Sequence, residues 1–524
     1  MDHMTNPLPE RFNFARHVLA TNAARAGKPA YVDDVSTMTY GQLEDRMRRF
    51  AAGLLAQGVR REERILLVMQ DTVDLPVAFL GALLAGIVPV PVNTLLTVHD
   101  YAYMIGHSGA RLVLVSPSLL AGIGQALLQL PAHARPPVAL AGSAEGMATG
   151  TAPALSVATL LASDPLSEAD SADTVADEFA FWLYSSGSTG RPKGTVHCHA
   201  SLYWTAELYG KPVLGVREDD VVFSAAKLFF AYGLGNGLTF PLCAGATTIL
   251  MAERPTPQAV FQRLVSHRPT VFCGVPTLYV AMLAMENAPA ADQVRLRVCA
   301  SAGEALPREV GERFQKRYGC EILDGLGSTE MLHIFLSNQA GKVRYGSSGR
   351  VVPGYDLKLL DEDGQPIAPG AIGDLHARGP SMALLYWNNR AKSTATFLGE
   401  WMRTGDKYSI DADGYFIYAG RSDDMLKVSG QYVSPIEIES VLMSHEAVSE
   451  CAVVGKTDAD GLTKTAAYVV VANGHRAGDD LAQLLKTYVK GRLTPHKYPR
   501  DIVFVADLPK TATGKIQRFK LRAI

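Results

Sequence analysis

The tightest constraint on this chain is the passage from Phe179 to Gly194. It begins Phe-Ala-Phe-Trp-Leu-Tyr and continues Ser-Ser-Gly-Ser-Thr-Gly-Arg-Pro-Lys-Gly. The first part is short, aromatic and uncharged, and reads as a buried strand. The second must turn sharply, which Gly187 and Gly190 permit. Successive backbone N–H groups in such a loop can converge on an anion. Ser185, Ser186, Ser188 and Thr189 add hydroxyl donors, and Lys193 adds charge. This is the chemistry of a polyphosphate cradle. A plain Ser/Gly linker needs neither the buried strand before it nor a fixed Arg-Pro-Lys-Gly after it. A Walker loop does not fit, because Lys193 precedes the last glycine instead of following it.

Around this loop the chain alternates between helix and strand. Thr39-Tyr-Gly-Gln42 has capping-box spacing, with Leu43, Met47, Phe50 and Leu54 following at helical intervals until Gly58. Ile65–Met69 reads as a strand, Leu75–Ala85 as a helix, and Val88–Val92 and Ala110–Ser116 as further strands. The uncharged run Leu75–Val92 is long enough to raise a membrane span, but Pro76, Gly81, Gly86, Pro89 and Pro91 break it into helix and strand. The stretches 132–154 and 163–178 read as surface connections. After the loop, Val221–Ser224, Thr247–Leu250, Thr270–Cys273 and Leu296–Ser301 are strand candidates. The expected fold class is therefore α/β, with two parallel α/β lobes up to about residue 338. From 349 to 420, Asp356–Leu360, Gly373–Arg378 and Tyr415–Tyr418 are separated by tight turns and suggest an antiparallel, β-barrel-like subdomain. Ser434-Pro-Ile-Glu437 then opens a helix in a small α+β unit.

With 524 residues, 48% of them hydrophobic, several cores are expected. The net charge of −2 indicates no global attraction to nucleic acid or membrane. The six scattered cysteines read as free, mostly buried thiols, which points to the cytoplasm. His197-Cys198-His199 lacks a second ligand cluster and reads as structural. The basic C-terminal stretch suits phosphate-rich small ligands as well as a nucleic-acid tail, and it lacks aromatic interleaving.

The loop resembles the phosphate-binding signature of the adenylate-forming enzymes: acyl-CoA synthetases, adenylation domains and luciferases. Further patches match in the family's order. Ser301-Ala-Gly-Glu-Ala-Leu-Pro307 resembles the adenine-side segment, which implies that Gly303, Glu304 and Ala305 lie along the base. Asp324-Gly-Leu-Gly-Ser-Thr-Glu330 resembles the motif ending in Thr-Glu. By that resemblance Asp324 meets the adenine, Thr329 the α-phosphate and Glu330 the Mg2+ ion. Arg403-Thr-Gly-Asp406 and Gly420-Arg421 resemble the ribose-binding pair, with Asp406 and Arg421 as ligands. Asp423 matches the hinge, and Met425-Leu-Lys-Val-Ser-Gly430 the start of a mobile domain, with Lys427, Ser429 and Gly430 on the CoA side. Pro509-Lys-Thr-Ala-Thr-Gly-Lys515 resembles the terminal motif whose Lys515 is catalytic. The implied division is residues 1–422 as the adenylate-forming domain and 423–524 as the mobile one. The implied cofactors are ATP, Mg2+ and the co-substrate CoA.

The acid is read from Lys227-Leu-Phe-Phe-Ala-Tyr-Gly-Leu-Gly235. An amino-acid-activating domain should offer a carboxylate there, and none is present. Phe229, Phe230, Ala231 and Tyr232 would instead form a flat apolar wall, closed by Gly327, His333 and Ile334. Together these stretches look most like benzoate–CoA ligases. That resemblance implies conversion of benzoate and CoA to benzoyl-CoA, AMP and pyrophosphate. A ligase for another small aryl or acyl acid, a module loading a carrier protein, and a luciferase-like oxygenase stand as alternatives. The expected partners are small molecules only, and a homodimer is left open.

Overall fold

The structure is a computed structural model that describes residues 8–142, 153, 155–185, 191–422, 424–428, 431–457, 463–494, 497–510 and 516–522. Two sheets carry the α/β part. A five-stranded parallel sheet runs in the order Val88–Pro91, Arg64–Val68, Leu112–Val115, Val138–Leu140, Leu155–Ser156. A nine-stranded sheet runs Arg350–Val351, Ile334–Ser337, Ile322–Gly327, Val298–Ser301, Val271–Gly274, Val221–Ser224, Thr247–Ile249, Pro29–Val32, Thr37–Thr39. Its middle is parallel and both ends are antiparallel. Every residue of Val271–Gly274 and Val298–Ser301 is buried, as helices on both faces require.

The local signals act as their chemistry dictates. Thr39 Oγ1 accepts from Gln42 N, and Gln42 Oε1 accepts from Thr39 N at 2.8 Å, closing the capping box of the helix Tyr40–Ala56. Leu43, Met47, Phe50 and Leu54 share its buried face. They pack against the apolar helix Asp74–Leu84, where a Cβ on Gly81 would lie 2.9 Å from the Phe50 ring. Each such side chain contributes roughly 1.5–3 kcal/mol on full burial. Among the described residues no helix is long and apolar enough to cross a membrane.

Two departures from the sequence reading bear on the site. The stretch 132–154 is not all surface connection, because Val138–Leu140 forms a parallel strand with Ala139 and Leu140 buried. Three residues between prolines and glycines are too few to show a period. The residues after the glycine-rich loop also form a strand. Lys193–Cys198 pairs antiparallel with Phe179–Ser185, and Leu385–Tyr386 adds a third strand. The loop therefore joins two strands of a hairpin, whereas a Walker loop leads into a helix.

The expected antiparallel region is a five-stranded sheet of Asp356–Leu360, Gly373–Arg378, Trp401–Ile410, Phe397–Leu398 and Phe416–Arg421. In the C-terminal unit Ser434 Oγ caps the helix Pro435–Met443 by accepting from Glu437 N at 3.2 Å. That helix packs on a sheet of Val448–Thr457, Thr463–Val471 and Asp501–Phe504.

Candidate active site

The hairpin brings its basic end to the Thr-Glu motif. Lys193, paired with Ser185 across the ladder, places Nζ 3.6 Å from Glu330 Oε1. The Tyr386 hydroxyl donates to the same oxygen at 2.7 Å, and Lys193 Nζ lies 3.3 Å from that hydroxyl. Burial acts upward on the Glu330 carboxyl, but Lys193 and Tyr386 outweigh it and hold the group below the usual carboxylate range. Burial pushes Lys193 down. Ser185 Oγ is buried at the base of the loop and has no partner among the described residues. The base is braced from the side: His107 Nδ1 lies 2.8 Å from the Tyr184 hydroxyl, and Tyr103 donates to Pro192 O at 3.2 Å. Ser186, Gly187, Ser188, Thr189 and Gly190 lie outside the described residues.

Thr329 is fixed through its backbone. Its carbonyl receives Leu332 N at 3.1 Å and His197 Nε2 at 2.8 Å. Leu332 takes φ +63, a left-handed conformation rare for a residue with a branched side chain, and its side chain is buried. That turn swings His333 back toward the aromatic segment. The His333 ring is boxed by Tyr232 (5.5 Å, stacked), Tyr209 (5.2 Å) and Phe240 (4.5 Å, edge-on). Its Nε2 lies 3.2 Å from the Tyr232 carbonyl, so Nε2 carries the proton. Burial lowers the imidazole to about 3, and it stays neutral. Close approach is bought with glycine: a Cβ on Gly235 would lie 2.3 Å from His333 Cδ2, and one on Gly327 would lie 2.7 Å from His333 O.

The expected wall divides. Phe229 is 4% exposed and belongs to the interior, while Phe230, Ala231 and Tyr232 are only partly buried. Ile334 is buried and packs toward Gly325. Two residues of this region escape sequence reasoning. Tyr209 sits in a π-helical turn, Ala206–Gly210, and Asn236 in another, Gly235–Thr239. Such turns recur at functional sites, and the amide of Asn236 is buried with neither atom partnered. No local pattern announces a π turn.

In the segment expected along the adenine, Gly303 takes φ +97 and is exposed, with open space where a Cβ would be; Glu304 and Ala305 follow, half-buried. Asp324 is buried at the foot of this segment, and Leu306 N points to its Oδ2 at 3.4 Å. Burial drives its carboxyl up to about 8. Asp406 and Arg421 face each other across adjacent strands at 3.0 Å.

Ser422, the residue before the expected hinge, donates to Asp374 Oδ1 at 2.8 Å, and Asp374 is held in turn by Lys407 and Arg403, each at 3.3 Å. Asp424, the residue after it, pairs with Arg522 and lies 3.9 Å from Arg518. Asp423 itself, Ser429, Gly430 and Lys515 lie outside the described residues, and Lys427 belongs to the strand Leu426–Val428. The histidines of His197-Cys198-His199 are occupied internally: His197 as above, and His199 Nδ1 by accepting from Phe14 N at 3.3 Å.

The hairpin end at Lys193, the half-buried Glu330 carboxylate and the facing Asp406–Arg421 pair are the charged groups gathered here. The model of the AMP-binding enzyme family matches residues 19–387, and that of its C-terminal domain matches 437–515. The chain belongs to the AMP-binding enzyme family. Within it, the chain is 55% identical to the benzoate–CoA ligase of Thauera aromatica, with 100% of this chain and 98% of that protein covered. A crystal structure of a benzoate CoA ligase from Burkholderia xenovorans is 61% identical, with a TM-score of 0.90 over 98% of this chain and 100% of that one. An anthranilate CoA ligase solved with anthranoyl-AMP is 38% identical, with a TM-score of 0.92 over 98% of both chains.

Proposed function

We propose that this chain is an ATP-dependent, AMP-forming ligase that converts benzoate and CoA to benzoyl-CoA, with AMP and pyrophosphate released. The observation that carries the reading is the juxtaposition at Thr329–Glu330–His333. One side of this segment meets the phosphate-type hairpin through Lys193, and the other meets a box of aromatic rings. In the first half-reaction the benzoate carboxylate attacks the α-phosphorus of ATP, giving an aryl-adenylate. In the second, the CoA thiol attacks that adenylate.

The difficulty in the first step is an anion attacking a polyanion, so cations and N–H donors must stand where charge builds. In this reading the hairpin loop and Lys193 bind the phosphates, and Asp406 with Arg421 binds the ribose. Gly303, Glu304, Ala305 and Asp324 surround the adenine. Glu330 would hold Mg2+, whose chemistry is to neutralise phosphate charge. The site fits that ion, since Glu330 is a half-buried carboxylate held below the usual carboxylate range and hard cations take oxygen ligands. Lys515 approaches the attacked phosphate. At about 4 Å and an effective dielectric near 20, one cation contributes about 4 kcal/mol. Phe230, Ala231, Tyr232, Gly327, His333 and Ile334 enclose the ring. His333 is neutral and so brings no charge to an uncharged ring.

Two bodies, 1–422 and 423–524, alternate between the half-reactions about Asp423, and Lys427, Ser429 and Gly430 serve the CoA side. The anchoring of Ser422 to Asp374 and of Asp424 to Arg522 supports a pivot confined to the residue between them. The six buried free thiols suit a cytoplasmic location. An acid panel assayed for CoA-dependent AMP release tests the reading. Benzoate and small ring analogues should give the highest kcat/KM. Acetate or long fatty acids ahead of benzoate would overturn it, as would AMP release that needs a carrier protein instead of CoA.

A further inference from the structure

We propose that Tyr386 is the positioning residue of the Glu330 carboxylate: its hydroxyl holds Oε1 in place so that the group meets Mg2+ already oriented. The proposal rests on the nucleotide-activating reading above, and it assigns a role outside the motifs that suggest that reading. Tyr386 lies in the strand Leu385–Tyr386, which pairs with the hairpin so that Tyr386 stands opposite Thr195, two residues from Lys193. The same segment grips Glu330 twice. Ala383 N donates to the Glu330 carbonyl at 2.7 Å, and the Tyr386 hydroxyl donates to Oε1 at 2.7 Å. Lys193 Nζ stands 4.3 Å from the centre of the Tyr386 ring and 3.3 Å from its oxygen.

Lysine, phenol and carboxylate thus form a chain from the loop to the metal-binding acid. In the protein without nucleotide, Lys193 balances the Glu330 charge at 3.6 Å. Phosphates would offer Lys193 a stronger partner, and Glu330 would then be free to hold a divalent cation. The phenol is neutral and need not leave, so Glu330 does not have to be re-oriented. The tyrosine is itself held. Its backbone N–H donates to Ser393 Oγ at 3.0 Å, and its ring packs on Phe397 at 5.2 Å. A carboxylate fixed this way loses no side-chain freedom when it binds the ion.

The test is Tyr386→Phe, which keeps the ring, the Phe397 contact and the cation–π contact while removing the hydroxyl. Thermal melts of wild type and variant are compared without ligand, with ATP plus EDTA, and with ATP over a Mg2+ titration. The Mg2+ dependence of pyrophosphate release is measured in parallel. An unheld carboxylate must be ordered when the ion binds, so the Mg2+ midpoint should rise about tenfold in both readouts. The ligand-free melt should fall by the lost bond, while the shift given by ATP plus EDTA, taken from each protein's own ligand-free melt, should match wild type. Equal Mg2+ midpoints would overturn the proposal. So would a variant that loses the metal-free ATP shift, since the hydroxyl would then serve the nucleotide. A wild type that shows no shift with ATP in any form would overturn the nucleotide reading, and the proposal with it.

Discussion

His197 reaches across from the hairpin to the Thr-Glu motif, its Nε2 2.8 Å from the Thr329 carbonyl oxygen. The imidazole is stacked on Phe181 at 5.2 Å with the rings 12° apart, and burial lowers it to about 4. A neutral ring bonded to a carbonyl must donate, so His197 works as a fixed N–H.

His197→Leu leaves that carbonyl short of a partner, which costs about 1–3 kcal/mol. We expect pyrophosphate release to fall tenfold or more. His197→Gln offers an amide N–H at a similar reach and should recover most of the loss. Equal losses in the two variants would reduce His197 to packing against Phe181.

Asp324 gives the ligand-free protein a pH signature. Its carboxyl is raised from 3.8 to about 8 in the folded state, chiefly by burial. Between those limits the folded chain keeps a proton that the unfolded chain releases. Stability therefore falls as pH rises from about 4 to about 8, and this contribution is flat above. Asp324→Asn cannot ionise, so its stability relative to wild type should grow steadily across that window. Urea unfolding at pH 5.5, 7 and 8.5 checks it, and parallel profiles for the two proteins would contradict the burial argument.

Ala231 is partly buried and directly precedes Tyr232, which stacks on the boxed histidine. Ala231→Leu should depress kcat/KM for ring-substituted benzoates by tenfold or more and affect benzoate less, since even one methylene in a filled pocket is worth about 1–3 kcal/mol. An unchanged substrate profile would place Ala231 outside the pocket.

Much of this was readable in the chain because the relevant signals are local. The capping box at Thr39 and the Ser434 N-cap depend on residues three apart, and both are formed. The strands Asp356–Leu360 and Gly373–Arg378 fall where Gly and Pro turns bracket alternating residues. What was missed depends on distant partners. Lys193–Cys198 is a strand because Phe179–Ser185 and Leu385–Tyr386 flank it. The π turns carrying Tyr209 and Asn236 sit where Gly210 and Gly235 let Phe240 and His333 come close. Tyr386 gains its meaning only from Glu330, 56 residues away in sequence. A short Leu-Tyr pair offers no pattern from which that contact could be foreseen.

Lys515→Ala separates the half-reactions. Pyrophosphate release from ATP and benzoate should drop about a thousandfold, as the loss of about 4 kcal/mol implies. Thioester formation from supplied benzoyl-adenylate should stay within about tenfold of wild type, a barrier change of about 1.4 kcal/mol. Equal losses in both would make the lysine a structural residue or one that serves both states.

The central claim is that a carboxylate oxygen of benzoate attacks the α-phosphorus of ATP at the Lys193–Glu330 end of the site. Mass spectrometry of the products formed from benzoate labelled with 18O in both carboxylate positions tests it most directly. The claim predicts one labelled oxygen in AMP, one retained in benzoyl-CoA, and none in pyrophosphate. Unlabelled AMP, or label appearing in inorganic phosphate alongside ADP, would contradict it.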